Sequence, residues 1–182
     1  MSALARSPRR GLIVLTLFVA TLAVGALALP SLGEMSDRGV GIIEFELART
    51  SAKASEYYGA LGEVGRDAAR ESLYLDYPYL ILYGLFFAAA CTVVAARATE
   101  RGMDGLARLG RALAIGALVA AACDAVENAA LLAVLGGHTD QPWPVVAFGF
   151  ASIKFVLTIA AALYVIVGFL LTLRAPARSA EG

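Results

Sequence analysis

Four long stretches with at most two charges each, residues 11–30, 73–96, 112–135 and 144–173, dominate this chain. The hydrocarbon core of a bilayer is about 30 Å thick and a helix rises about 1.5 Å per residue, so roughly 20 apolar residues make one crossing. The chain is therefore expected to be all-α: a polytopic membrane protein folded as a four-transmembrane-helix bundle, a single membrane domain over residues 1–182. A hydrophobic content of 59% and a mean hydropathy of +0.73 agree, since both exceed what soluble domains carry.

The connections set the orientation. Arg6, Arg9 and Arg10 precede the first stretch, Arg97, Arg101, Arg108 and Arg111 fill the charged turn at residues 97–111, and Arg174 and Arg178 follow the fourth. Basic residues near span ends stay on the cytoplasmic side. Both termini and the 97–111 turn are thus expected in the cytoplasm, with the bundle in the inner membrane of a bacterial-type cell. The connection at residues 31–72 carries eight acidic residues against five basic ones and is expected outside. Trp143, Tyr74 and Tyr77 fit an outer aromatic belt.

Arg9, Arg10, the apolar run and Ala26-Leu27-Ala28 also carry the pattern of a secretory signal. The run is nearer a full span than a signal core of about 7 to 15 residues, which favours an uncleaved helix. Cleavage after Ala28 would leave three spans and an outside amino terminus.

The outer segment, about 40 residues, is too small for a core of its own and is expected to cap the bundle mouth or lie on the lipid surface. From Thr50 it is rich in helix formers and leads into the second span. At residues 39–48 the alternation of Ile43, Phe45 and Leu47 with Glu44 and Glu46 suits a strand, yet so short a run does not separate strand from helix.

Composition also excludes functions. The 15 basic and 15 acidic residues balance, so no polyanion-binding surface is expected and nucleic acid is not a partner. Cys91 and Cys123 stand alone in apolar runs and are read as packing residues. His138 is the single histidine, and no metal site or cofactor is expected. No nucleotide loop, nucleophile elbow or dinucleotide fingerprint occurs.

What remains is a set of ionisable residues inside the spans. Each costs roughly 2.5 to 3.5 kcal/mol at the bilayer centre, so such groups face the bundle interior and mark function. Asp76, Tyr79 and Tyr83 follow i, i+3, i+7 along one face of the second span; Asp124, Glu127 and Asn128 share a face of the third; Lys154 lies on a face of small residues in the fourth. Counted from the outer ends, Tyr83, Asp124, Glu127 and Lys154 lie about 15, 16, 12 and 15 Å deep, and Asp76 about 5 Å. Depth-matched groups can meet. Lys154 is therefore expected to pair with Asp124 or Glu127, with hydrogen bonds from Asn128, Tyr79 and Tyr83. Three acids around one lysine favour a protonated carboxyl or a second cation. Asp124, Glu127, Lys154 and Asp76 are the candidate catalytic residues. Asn128, Tyr79, Tyr83, Glu44 and Glu46 are the candidate ligand contacts.

Phe45 to Ala48 (FELA), the run of Leu75, Asp76, Tyr77 and Pro78 with Tyr83, the D-x-x-E-N of Asp124, Glu127 and Asn128, and Lys154 together resemble a family of uncharacterised bacterial four-transmembrane-helix proteins. The resemblance covers most of the chain and implies a four-helix membrane protein, without an activity.

Three functions suit such a cluster: a lipid-like or apolar substrate that enters from the outer leaflet, an oligomeric proton- or ion-coupled transporter, or a structural protein whose outer segment binds a partner. A homo-oligomer is required by the second, because four helices enclose little room for a solute.

Overall fold

The computed structural model describes residues 9–174. Arg6 and Arg178, counted above among the flanking arginines, lie outside the described residues. Six helices follow one another: α1 (Arg10–Leu27), α2 (Leu29–Asp37), α3 (Ile42–Glu46), α4 (Ser51–Glu100), α5 (Asp104–Leu135) and α6 (Trp143–Arg174). No strand occurs among the described residues. α1 with α2, α4, α5 and α6 are each long and apolar enough to cross a membrane.

α4 extends well beyond the stretch expected to cross. Thr50 caps its first turn by accepting from the Lys53 amide, and the helix continues for 50 residues. Gly62, at φ 61° and ψ −168°, is the one non-helical position within it; that backbone region is essentially open to glycine alone. Arg66 braces the kink, donating to the Tyr58 carbonyl and covering the Tyr58 ring at 4.4 Å. Pro78 keeps helical geometry instead of starting or breaking the helix. Its missing amide frees the Tyr74 carbonyl from the helical ladder.

The charged connection expected at residues 97–111 is mostly helical. α4 ends at Glu100 and α5 begins at Asp104, because alanine- and arginine-rich sequence sustains a helix past the apolar stretch. Gly102, at φ 72°, makes the reversal. Within residues 39–48, Ile42–Glu46 form a short helix and no strand: Glu44 turns back to accept from the Gly41 amide and closes the first turn of α3.

Packing centres on α4, which touches α1, α2, α5 and α6. The two ends of the bundle differ. At the cap end, Met35, Val40 and Phe45 from the connecting segment join Leu61 and Leu73 of α4 and Leu131 and Leu135 of α5 in one buried core. The cap thus shares the bundle's core, as a segment too small for its own must. Arg70 closes this end by donating to the Leu135 carbonyl at 2.7 Å, meeting the unsatisfied carbonyls at a helix C-terminus. At the opposite, turn end, Tyr164 crosses to donate to the Leu106 carbonyl.

α1 packs mainly on α4. Phe18 meets Phe86 at 5.3 Å between ring centroids, and Gly25 lets the Tyr79 ring approach closely. Its remaining surface, including Leu12, Leu15, Val19 and Leu22, is exposed, as is the Val156, Ile159, Leu163 and Ile166 stripe of α6. Such stripes suit contact with acyl chains.

Candidate functional site: a lysine among carboxylates beside an open cleft

α6 starts at the cap end, and helical side chains lean toward the N-terminus of their helix. Lys154 accordingly extends toward the cap. Its ammonium lies 2.8 Å from Glu127 Oε2, 3.0 Å from Asp124 Oδ1 and 3.3 Å from Glu46 Oε2. The face of Phe155 lies 4.9 Å from the same nitrogen. Three carboxylates from α3 and α5 thus surround one cation that is 8% exposed.

Asp124 is held on both sides, since Oδ1 takes Lys154 and Oδ2 accepts from the Tyr83 hydroxyl at 2.9 Å. Glu127 is wholly buried, and its Oε1 has no donor among the described residues. Beside this network, Asn128 donates to Asp76 Oδ2 at 2.7 Å. Asp76 has no salt bridge among the described residues. Tyr79 packs against Tyr83 with ring centroids 5.5 Å apart.

Most of the residues expected from sequence meet here. Lys154 pairs with both Asp124 and Glu127, and Tyr83 and Asn128 each supply a hydrogen bond to an acid. Tyr79 contributes its ring. The two glutamates of the connecting segment part company: Glu46 reaches Lys154, whereas Glu44 is exposed and spends its carboxylate on the Gly41 amide. Burial pushes the Glu46 carboxyl above its ordinary value, against the pull of the Lys154 ammonium.

A cleft of about 360 Å³ opens onto this cluster. Its walls are Phe18, Thr21 and Leu22 of α1, Phe86 and Phe87 of α4, and Phe155 and Thr158 of α6, and its floor includes Asp76, Asp124 and Lys154. A second cleft of about 460 Å³ lies nearer the cap between α1, α2, α3 and α4, and again reaches Glu46, Asp76 and Tyr79. Both sizes fall within the range of small-molecule sites, which combine apolar walls with a few polar groups. Spacing rules did not single out the aromatic walls or Thr158 as site residues. The Thr158 hydroxyl is buried without a hydrogen-bond partner among the described residues. The adjacent Phe86 and Phe87 offered the only signal, and it became meaningful once α1 was known to lie beside them.

Chemically, the site can hold a charged or polar head group against fixed carboxylates while an apolar body rests on aromatic rings. Among the described residues no grouping of histidine, cysteine and acids suits a metal ion. Comparison with protein-family models, with curated proteins and with solved structures finds no match.

Proposed function

We propose that this chain is a multi-pass protein of a bacterial inner membrane, with both termini cytoplasmic and the cap outside, that binds or acts on a lipid-like or apolar molecule. The observation that carries this reading is the aromatic cleft between α1 and α6 that ends on Asp124 and Lys154. A buried ion pair serving only to fix helix register needs no cavity beside it. The position of the cleft behind α1, whose outer surface is apolar, gives a membrane-dissolved molecule a lateral route to the polar groups.

Native mass spectrometry of the full chain released from membranes tests this. A co-purifying amphiphile is expected on the wild type and on Val156→Ala, which alters the lipid-facing side of α6. It is expected to be lost from Thr158→Trp, which fills the cleft from its wall. Retention on a folded Thr158→Trp protein, or no bound amphiphile on the wild type, would overturn the reading.

A further inference from the structure

Resting on that reading, we infer that the head group held in the cleft is cationic: a protonated or quaternary amine carried on an apolar body. The charges on the site have one sign in excess. Glu46, Asp76 and Asp124 line the same cleft, Glu127 lies buried behind it against Lys154, and among the described residues Lys154 is the basic side chain on that lining. That lysine is already enclosed by three carboxylates, so it has little capacity left to hold an anionic head group. Asp76 is different. It lines both clefts, and its one hydrogen bond among the described residues comes from the neutral Asn128 amide.

The second, independent observation is Glu127. It is wholly buried against Lys154 and keeps an oxygen without a donor among the described residues, a costly arrangement that a proton on one of the carboxyls or further positive charge at the cluster relieves. The third is the nature of the walls. Tyr79, Tyr83, Phe86 and Phe155 present rings around the carboxylates, and Phe155 already lies against an ammonium. Aromatic faces with a nearby acid are the usual means of recognising quaternary ammonium groups. A neutral apolar ligand would use the rings and leave the acids unanswered; an anion would face the acids directly.

Calorimetric titration of the full chain in a non-ionic maltoside detergent, with three octyl probes, the two charged ones below their micelle concentration and the uncharged one dissolved in the detergent, separates these cases. The probes are octyltrimethylammonium, its uncharged carbon isostere and octyl sulfate. The ammonium is expected to bind roughly tenfold or more tighter than the isostere, the scale of a desolvated cation–π contact joined to an ion pair. Asp76→Asn is expected to bring that ratio close to one; should it not fold, Tyr79→Leu tests the same ratio through the aromatic face. Equal binding of ammonium and isostere overturns the cationic head group while leaving an apolar site standing. Tighter binding of the sulfate overturns it in favour of Lys154 as anchor. No binding of any probe overturns both this inference and the lipid-site reading.

Discussion

Glycine packs the turn half of the bundle, and charge occupies the cap half. Toward the turn, a Cβ on Gly110 would overlap the Tyr164 hydroxyl, and one on Gly168 would come within 2.8 Å of Val94. Helix backbones approach closely there, as small residues allow in a medium where burying apolar groups gives little advantage. Toward the cap, α5 and α6 are joined through Lys154, Asp124 and Glu127, an arrangement that must first offset the desolvation of every ion in it. The first kind of packing needs no ligand to make sense of it. The second leaves a buried oxygen without a donor among the described residues and an aromatic cleft beside it, and is the half on which the proposed function rests.

Four substitutions break or sharpen that contrast. Lys154→Met leaves the carboxylates buried without their cation and is expected to cost about 3–5 kcal/mol, read as a lower unfolding midpoint in mixed micelles. Gly110→Val is expected to cost about 1–3 kcal/mol by overpacking against Tyr164. Its hydrogen exchange should rise around residues 95–110 while protection near Asp124 persists; equal loss in both halves would mean that the two are not separable. Tyr83→Phe removes one donor to Asp124 and is expected to cost about 1 kcal/mol, measured in the same micelles.

The smallest effect is a pH slope at α3. A carboxyl whose pKa is raised on folding binds its proton more tightly in the folded state. The docking of Glu46 is therefore strongest below the ordinary glutamate range and weakens as pH rises through the raised value. Lys154, Asp124 and Glu127 face the same group. Glu46→Gln is expected to flatten the dependence of α3 hydrogen exchange on pH, and an unchanged slope would assign it to another group.

How far these features could be read from sequence differs along the chain. The meeting of Lys154 with Asp124 and Glu127 was legible because straight helices turn residue number into depth and face. That conversion fails for Glu46, which sits in a five-residue helix whose position depends on how the connecting segment folds back over the mouth. It fails also for the cleft. α1 carries no charge between Arg10 and Leu27, and its buried Thr21 bonds to its own Leu17 carbonyl. Nothing in its pattern says which neighbour it chooses. Lateral order among apolar helices comes from shape, here Gly25 against Tyr79, and shape appears only in three dimensions.

The lysine that completes the cluster stands on the last helix of the chain. Synthesis proceeds from the amino terminus, so α4 and α5 reach the membrane with Asp76, Asp124 and Glu127 before α6 brings Lys154 to them. α5 is the least apolar of the four candidate spans, and each acid adds roughly 2.5 to 3.5 kcal/mol to the cost of its early insertion. During that interval the nascent α5 must keep its acids protonated, hydrated or paired with a borrowed cation. The arrival of α6 then ends the wait, making vectorial biogenesis of this protein a race between the delivery of its final span and the escape of its third.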